Sequence, residues 1–384
     1  PRKLLIDAFE KALQASILSK AATGTLRYCN KMTNPCRGRL FNGLAALLVS
    51  FLLLQYGLLP FANLPGTPKA VPSNISSTVR LSPSVNSGIF NTSLGNRTES
   101  ATGRTGKGGS KGSSSTMALC PLVPPNLVGR FSVSIKAPSY EEMEKNFKHV
   151  MQGGRFKPKD CRVRHRVAIL IPYRDREENL RVFLHNMHQV LPRQQIDYGI
   201  FVIEQDGKGK FNRAKLFNIG YLESLELYDY DCIVFHDVDL IPEDDRNLYT
   251  CPQQPRHMSV AINNMRYRLL YTGYFGGVSA LSKKHFKLVN GFSNEYWGWG
   301  AEDDDIYFRL RHSGLSISRY PGNIARYTML GHTRGVPNPQ RLKLLHNATS
   351  RYKKDGLNSV KYERKRLVQK KLYTWILADL KAPK

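Results

Sequence analysis

Five consecutive segments near the middle of the 384-residue chain alternate between patterns typical of strands and of helices. Residues 167–172 read VAILIP, a continuous apolar run that predicts a strand buried on both faces. Patterns typical of a helix at 177–191, a strand at 198–203, a helix at 213–225 and a strand at 231–238 follow in order. This βαβαβ order predicts a Rossmann-like α/β domain with a mostly parallel central sheet. In such sheets ligands bind beyond the carboxyl ends of the strands, so polar residues at those ends are the first candidates for a site.

A stretch of 20 residues without formal charge, LFNGLAALLVSFLLLQYGLL at 40–59, precedes these segments. A helix needs about 20 predominantly apolar residues to cross the hydrocarbon core of a bilayer. Four Lys and Arg residues lie between positions 27 and 39, and the positive-inside rule then puts the N-terminal side in the cytoplasm. We expect a cytoplasmic segment at 1–39 and a single transmembrane signal anchor at 40–60. A buried core helix is the alternative.

The residues after the anchor, 61–118, are rich in Ser, Gly, Thr, Asn and Pro. Such a composition cannot bury a core and predicts a disordered, flexible stem. Sequons for N-glycosylation begin at Asn74, Asn91 and Asn96 in the stem and at Asn347 near the C-terminal end. These four asparagines are candidate glycosylation sites, and they indicate that the chain beyond the anchor is lumenal.

Four cysteines follow the anchor: Cys120, Cys161, Cys232 and Cys251. An even number of cysteines in an oxidising compartment indicates two disulfides, for which the sequence alone allows three pairings. A zinc site is the alternative, although the CxxC spacing typical of such sites is absent from the sequence.

The formal net charge of +27 would suit a protein that binds nucleic acid, an anionic membrane surface or a phosphorylated substrate. The basic residues are dispersed along the chain and form no nucleic-acid-binding motif. A nucleotide diphosphate substrate and a stem close to a membrane are the more economical explanation, so we expect no nucleic-acid partner.

Charged residues follow two of the predicted strands. Arg174 and Arg176 come directly after the first strand and suit a diphosphate, although solvated surface charge is the alternative. Asp237, Val238 and Asp239 come at the end of the third strand. Residues two apart in a strand point to the same side, so this spacing predicts that both carboxylates converge on one divalent metal while Val238 faces the core.

Met329 and His332 lie downstream in the run MLGH. Histidine is a common metal ligand, and a thioether is a soft donor that favours a transition metal over magnesium. An ordinary polar role for His332 is the alternative.

The run NEYWGWGAEDDD at 294–305 combines two tryptophans, spaced by glycine, with four consecutive carboxylates. Glycine lets the backbone approach a ligand closely, and tryptophan offers a flat apolar face on which a sugar stacks. The carboxylates offer a general base and charge for binding. An acidic first turn that complements a helix dipole is the alternative, and both interpretations are compatible.

Together these motifs resemble the β-1,4-galactosyltransferase family of Golgi enzymes over about residues 119–380. The resemblance rests on five motifs in one order: FNRAKL at 211–216, DVDLIP at 237–242, YFGGVS at 274–279, WGWGAEDDD at 297–305 and PNPQR at 337–341. It implies a GT-A type nucleotide-sugar-binding domain at 119–384 that faces the Golgi lumen and is held by a single-pass type II anchor. It leaves a homodimer open.

The resemblance also implies a role for individual residues. Mn²⁺ would be the cofactor, bound by Asp239, Met329 and His332. The nucleotide would be held by Pro172, Arg174, Arg176, Phe211, Arg213, Asp237 and Val238. The donor sugar would be contacted by Tyr274, Trp299 and Glu302. Asp303 would be the catalytic base. The acceptor would be contacted by Gly300, Asp304, Arg341, Leu342 and Leu345. Cys120 would pair with Cys161, and Cys232 with Cys251.

The implied reaction is inverting transfer of galactose from UDP-galactose to the 4-hydroxyl of terminal N-acetylglucosamine on glycoproteins or glycolipids, with a β-1,4 linkage. In this family a tyrosine at the position of Tyr274 limits the donor to galactose. The alternatives are a β-1,4-N-acetylgalactosaminyl- or N-acetylglucosaminyltransferase of the same fold and, in a different class, a catalytically silent sugar-binding protein.

Several residues depart from the family pattern. Ala301 stands where vertebrate members usually have Gly, and Asn264, Met265, Gly273 and Leu342 are also unusual. These changes leave the implied metal ligands and base intact and bear on acceptor preference.

Overall fold

The computed structural model describes residues 117–333 and 335–383. The expected cytoplasmic segment, the anchor and nearly all of the stem, with Asn74, Asn91 and Asn96, lie outside the described residues. Within the described ranges, no helix combines the length and the apolar character that a membrane span requires.

The elements follow one another in chain order. They are α1 (Tyr140–Asn146), β1 (Arg155–Phe156), β2 (Arg166–Tyr173), α2 (Glu177–Val190), β3 (Asp197–Gln205), α3 (Arg213–Leu227), β4 (Cys232–His236), β5 (Leu240–Pro242), β6 (Arg256–His257), β7 (Ala261–Ile262), β8 (Val278–Ser282), α4 (Lys283–Leu288), α5 (Glu302–His312), β9 (Arg326–Met329), α6 (Arg341–His346), α7 (Ala348–Arg351), β10 (Glu363–Gln369) and β11 (Thr374–Asp379). Short 3₁₀ helices cover Leu191–Gln194, Asn263–Met265 and Leu357–Ser359.

The central sheet has the order β10-β11-β3-β2-β4-β8-β6, with β1 also paired to β3. The middle pairings, β11 with β3, β3 with β2 and β2 with β4, are parallel, as the βαβαβ pattern predicts. The outer pairings of β10, β8, β6 and β1 are antiparallel. The sheet is therefore mixed, and the prediction of a mostly parallel sheet is wrong at its edges. The outer strands are short or belong to the hairpin β10–β11. They are therefore not part of a βαβ pattern from which the sequence could predict them.

Strand β2 is buried on both faces because helices cover both sides of the sheet. Val167, Ile169 and Ile171 pack in the same apolar cluster as Phe183 of α2. The alternate residues, such as Leu170, pack in the cluster on the other face. Full burial of each such side chain contributes about 1.5–3 kcal/mol, which explains why the run is apolar at every position.

A second, three-stranded sheet has the order β5-β9-β7. Leu240 of β5 lies opposite Met329 of β9. Since β5 begins one residue after Asp239, this small sheet brings the DVD motif beside the MLGH run.

Two disulfides tie down the start of the domain and the start of β4. They join Cys120 to Cys161 and Cys232 to Cys251, the pairing that the resemblance implies. With all four thiols oxidised, the zinc alternative is wrong.

His188 on α2 is buried and uncharged in the core, and this predicts acid sensitivity. Its ring nitrogens contact the Tyr198 hydroxyl at 2.9 Å and the Leu372 carbonyl at 2.8 Å. Burial lowers the pKa of His188 to about 4 from its ordinary 6.5. Below pH 6.5 this histidine is protonated in the unfolded chain but stays neutral in the folded protein. The free energy of unfolding therefore falls as the pH drops from 6.5 towards 4.

We expect the lowered pKa of His188 to reduce the free energy of unfolding by about 2 kcal/mol when the pH falls from 7 to 5. Urea denaturation at both pH values measures it. The loss should be smaller in His188→Gln than in the wild type and unchanged in His346→Gln, which alters an exposed histidine. The same pH dependence in His188→Gln and the wild type would contradict the assignment.

Candidate active site

The DVD motif lies in a turn and not in a strand. β4 ends at His236, and the Leu240 N–H donates to the Asp237 carbonyl at 3.2 Å. The prediction that strand alternation directs both carboxylates to one metal is wrong, because the strand ends one residue too early. Asp237 pairs with Arg213, whereas Asp239 pairs with His332. Val238 is buried between them, as predicted.

Asp239 and His332 pair at the end of the small sheet where Met329, the last residue of β9, lies opposite Leu240. His332 Nε2 lies 2.9 Å from Asp239 Oδ2, and this hydrogen bond raises the pKa of His332. The Leu330 N–H donates to the Asp239 carbonyl at 2.7 Å, which holds the residue after Met329 against the turn.

This donor set fits a transition-metal ion. It offers a carboxylate oxygen, an imidazole nitrogen and a thioether sulfur, and the last is a ligand that magnesium and calcium do not favour. Among the described residues no group of three or more His, Cys, Asp and Glu side chains could hold a metal. A metal at Asp239 and His332 would therefore depend on Met329 for a third protein donor.

Arg213, the first residue of α3, connects the two sides of the site. Its guanidinium donates to Asp237 Oδ1 at 2.6 Å, to Glu302 Oε1 at 3.3 Å and to the Gly277 carbonyl at 3.3 Å. Burial, opposed by Arg213, raises the pKa of Asp237 to about 6. Burial and the neighbouring Asp303 raise the pKa of Glu302 to about 7. The site therefore concentrates carboxylates around one cation.

Glu302 has an unused hydrogen-bonding capacity. Its Oε2 atom is buried and finds no hydrogen-bond partner among the described residues. A buried polar atom without a partner is costly, and a sugar hydroxyl would satisfy it.

Asp303 lies against the backbone of Gly276. A Cβ atom at Gly276 would stand 2.2 Å from Asp303 Oδ2 and 2.9 Å from the Tyr274 ring, so only glycine allows this approach. The Asp304 N–H donates to Asp303 Oδ1 at 3.1 Å. The Tyr274 ring, the Gly276 backbone and the Asp303 carboxylate thus share one corner of the site.

The four consecutive carboxylates separate into different environments. Glu302 contacts Arg213, Asp304 accepts from the Tyr271 hydroxyl at 2.5 Å, and Asp305 is buried against Arg309 at 2.5 Å. All four also lie in the first turn of α5, as the dipole interpretation predicts. Asp305 faces away from the candidate base and belongs to the core.

The α5 helix starts from a strained residue. Its N-cap, Ala301, has φ +73°. This left-handed conformation costs a non-glycine residue about 1–2 kcal/mol.

The WGWG loop pairs with the PNPQR segment. The Trp299 N–H donates to the Val336 carbonyl at 2.8 Å, and the Asn338 N–H donates to the Trp299 carbonyl at 3.0 Å. A Cβ atom at Gly300 would stand 3.1 Å from the Arg341 side chain. The Trp299 side chain is about half exposed.

The candidate acceptor residues on α6 differ in exposure. Arg341 and Leu345 are half-buried, whereas Leu342 is exposed. Asn347, the sequon residue, is exposed between α6 and α7, and its glycosylation stays a prediction.

The remaining candidate nucleotide residues surround the carboxyl end of β2. Pro172 is buried in β2. Arg174 donates to the Gly209 carbonyl at 2.7 Å, and its guanidinium lies 5.3 Å from the centre of the Phe211 ring. Arg176 donates to the Thr333 carbonyl at 2.9 Å beside His332. Arg176 therefore lies beside a candidate metal ligand, whereas Arg174 lies against the segment that leads to Phe211.

Sequence reasoning missed Arg319, His257 and Tyr271, which support the site, and noted Asn264 only as an unusual residue. Arg319 donates to the Tyr274 carbonyl at 2.9 Å, and His257 contacts the Gly276 carbonyl at 3.0 Å. Tyr271 binds Asp304, and Asn264 Nδ2 lies 2.6 Å from Met329 Sδ. No spacing signal marks these residues, because each acts through a partner that is distant in sequence.

Comparisons with known proteins give a consistent result. A family model described as the N-terminal region of glycosyl transferase group 7 matches residues 120–252, and one described as the N-terminal domain of galactosyltransferase matches residues 256–333. The chain is 48% identical over 273 residues to β-1,4-galactosyltransferase 1 of Mus musculus, covering 70% of this chain and 68% of that protein. It is 49% identical over 265 residues to β-1,4-galactosyltransferase 4 of Cricetulus griseus, covering 68% of this chain and 76% of that protein.

A solved structure is also similar. It is a mutant of Drosophila β-1,4-galactosyltransferase 7 in complex with manganese, UDP-Gal and xylobiose. The sequence identity is 32%, the TM-score is 0.49, and the match covers 57% of this chain and 95% of that chain.

Proposed function

This chain belongs to the β-1,4-galactosyltransferase family, and from that premise we propose that it transfers galactose from UDP-galactose to the 4-hydroxyl of terminal N-acetylglucosamine on glycoproteins or glycolipids. The product has a β-1,4 linkage. The observation that carries the proposal is the position of Arg213. Its guanidinium joins Asp237, two residues from a candidate metal ligand, to Glu302, one residue from the candidate base.

Asp239, Met329 and His332 would hold Mn²⁺. When bound, the ion supplies positive charge beside a diphosphate leaving group. Arg176 lies beside His332, and Arg174 lies beside Phe211. Both arginines would hold the nucleotide by charge-assisted hydrogen bonds. Pro172, Phe211 and Val238 would complete the nucleotide contacts.

Asp303 would accept the proton of the acceptor 4-hydroxyl while that oxygen attacks the anomeric carbon. Attack from the face opposite the leaving group inverts this carbon, so an α-linked donor yields a β-linked product. Glu302 would bind the donor sugar through its unpaired Oε2 atom. The half-exposed Trp299 would cover the sugar.

Asp304 and Gly300 would contact the acceptor, together with Arg341, Leu342 and Leu345 of α6. The hydrogen bonds between Trp299 and the PNPQR segment support this arrangement, because they bring α6 beside the WGWG loop. Exclusion of water by these segments would suppress hydrolysis of UDP-galactose.

We also propose the cellular arrangement that the sequence implies. The chain would be a single-pass type II Golgi membrane protein, with a cytoplasmic segment at 1–39, an anchor at 40–60, a stem at 61–118 and a lumenal catalytic domain at 119–384. The two disulfides support an oxidising compartment for that domain.

The test of the function is a donor comparison. The protein is incubated with N-acetylglucosamine and, separately, UDP-galactose, UDP-N-acetylgalactosamine or UDP-N-acetylglucosamine, with Mn²⁺ or EDTA. Manganese-dependent transfer from UDP-galactose alone supports the proposal. Preference for an N-acetylhexosamine donor would favour the alternative transferases. No transfer from any donor, with binding of UDP and Mn²⁺ retained, would favour a silent sugar-binding protein.

Tyr274→Leu is expected to widen the donor pocket. The Tyr274 side chain is buried, and its carbonyl is held by Arg319. Removal of the ring would make room for an N-acetyl group beside the donor 2-position. We expect transfer from UDP-N-acetylgalactosamine to rise by about tenfold or more relative to transfer from UDP-galactose.

The ratio of kcat/KM for the two donors measures this effect. Tyr320→Leu is the control, because Tyr320 packs on Arg256 at the sheet edge and is no part of the proposed pocket. An unchanged donor ratio in Tyr274→Leu would mean that another residue limits the pocket.

A further inference from the structure

Four charged residues form a buried cluster behind the proposed site: Asp305, Arg309, Arg351 and Asp355, called here the α5–α7 charge cluster. The side chains of Asp305 and Arg309 are fully buried. Arg309 donates to Asp305 Oδ1 at 2.5 Å, to the Asp355 carbonyl at 2.7 Å and to the Gly291 carbonyl at 3.1 Å. Arg351 donates to Asp305 Oδ2 at 2.5 Å and also pairs with the Asp355 carboxylate. Two cations thus neutralise two anions.

Buried charges are costly unless they are paired and fully hydrogen-bonded, so such a cluster tolerates few alternative geometries. Its arginines bind through planar, multidentate guanidinium groups, which set direction as well as distance.

The cluster holds the segment that leads into the WGWG loop. The Ser293 hydroxyl donates to Asp355 Oδ2 at 2.6 Å, and the Asn294 N–H donates to Asp355 Oδ1 at 2.8 Å. The Tyr296 hydroxyl donates to Asp305 Oδ2 at 2.9 Å. The approach to Trp299 is therefore tied to the same two carboxylates as α5.

The cluster also holds α6. Arg351 donates to the Leu344 carbonyl from Nη2 at 3.3 Å and from Nε at 3.4 Å. Leu344 lies between the candidate acceptor residues Leu342 and Leu345. Through Arg351, the backbone of α6 is connected to Asp305, two residues beyond Asp303 in the first turn of α5.

From these contacts we infer that Asp305 and Arg351 are positioning residues for acceptor use. They fix α6, with its acceptor residues, relative to the first turn of α5, with Asp303 and Asp304. The role in acceptor binding rests on the proposed function. The connection between α5 and α6 through Arg351 rests on the hydrogen bonds alone. Neither residue contacts the site: Asp305 is fully buried, and the side chain of Arg351 binds the cluster, the Leu344 carbonyl and Ser293.

The first test is the kinetics of Arg351→Lys and Asp305→Asn. Lysine keeps the charge but cannot bridge Asp305, Asp355 and the Leu344 carbonyl with fixed geometry. We expect the KM for N-acetylglucosamine to rise by about tenfold and the fraction of UDP-galactose lost to hydrolysis to rise, because a displaced α6 misplaces the acceptor. The Kd for UDP with Mn²⁺ should change less than about twofold, since no nucleotide residue touches the cluster.

Arg193→Lys is the matched control. Arg193 binds the fully buried Asp245 at 2.8 Å, as Arg351 binds Asp305, but it lies on the 3₁₀ helix after α2. It should lower thermal stability without changing the acceptor KM or the hydrolysed fraction. If Arg193→Lys and Arg351→Lys changed thermal stability, the acceptor KM and the hydrolysed fraction equally, the cluster would contribute only to general stability. That result would overturn the inference.

Hydrogen exchange gives a second test that does not depend on transfer. In Arg351→Lys, peptides that cover 302–310 and peptides that cover 341–351 should both exchange faster, and in Arg193→Lys neither should. Faster exchange in 341–351 alone would overturn the connection between α5 and α6. If the wild type transfers no galactose, the proposed function fails, whereas the exchange data still decide the connection.

Tyr296→Phe covers the case in which the charge variants do not fold. It removes one hydroxyl that donates to Asp305 and leaves every charge in place. We expect the same direction of change in acceptor KM and in exchange at 302–310, with a smaller size. No change in either quantity would count against a positioning role for Asp305.

Discussion

Asp303→Asn is expected to lower the rate of galactose transfer by about 10²–10⁴-fold while binding of UDP and Mn²⁺ persists. The amide has the shape of the carboxylate, so the close contact with Gly276 and the hydrogen bond from the Asp304 N–H to Oδ1 are preserved. The amide cannot accept the proton of the acceptor hydroxyl. The loss should therefore appear in kcat and much less in nucleotide affinity.

Steady-state kinetics with UDP-galactose and N-acetylglucosamine, together with a UDP titration in Mn²⁺, make the measurement. Asp160→Asn is the control, because Asp160 is an exposed aspartate that contacts Gln195. Wild-type turnover in Asp303→Asn would remove Asp303 as the base. Loss of UDP binding would instead show that the substitution had damaged the donor site.

Asp239→Asn is expected to weaken Mn²⁺ binding and to lower manganese-dependent transfer by at least about 100-fold. Asp239 is the only carboxylate in the candidate donor set, and His332 and Met329 contribute no negative charge. Electron paramagnetic resonance of free Mn²⁺ during a titration measures binding without reference to turnover.

Asp231→Asn is the matched control for this second prediction. Asp231 precedes the start of β4 and pairs with Arg166, whereas Asp239 follows the opposite end of that strand. Asp239→Asn protein that binds Mn²⁺ as tightly as the wild type would place the ion elsewhere. Tight binding with lost transfer would show that Asp239 has a role other than that of ligand.

The middle of the fold follows from local patterns. Helices α2 and α3 cover the two faces of the sheet, so strand β2 is buried on both sides. Its apolar run is therefore continuous, and the sequence predicts a buried strand. The parallel order of β2, β3 and β4 follows from the helices between them, because a parallel pair needs a long crossover. The antiparallel edges were not predicted, since β6 has only two residues and carries no period of its own.

The candidate site residues could be predicted where they belong to a motif that is continuous in the chain. They could not be predicted where the role of a residue depends on a contact with a residue distant in sequence. Asp237 and Asp239 were singled out correctly as polar residues after a strand. The directions of their side chains were predicted wrongly, because a turn begins at the strand end. In this turn Asp237 pairs with Arg213, and Asp239 pairs with His332. Gly276 was part of a motif, but its closeness to Asp303 depends on two segments 27 positions apart.

Composition, spacing and motif order by themselves determined the family, the α/β core, the four cysteines and the list of candidate residues. Only the tertiary structure decided what each of four adjacent carboxylates does: Glu302 faces Arg213, Asp303 the Gly276 backbone, Asp304 the Tyr271 hydroxyl and Asp305 the buried arginines. The reason is helical geometry. Successive residues of a helix point about 100° apart, so four like charges in a row meet four different surroundings, and the burial and charge of those surroundings set their chemistry.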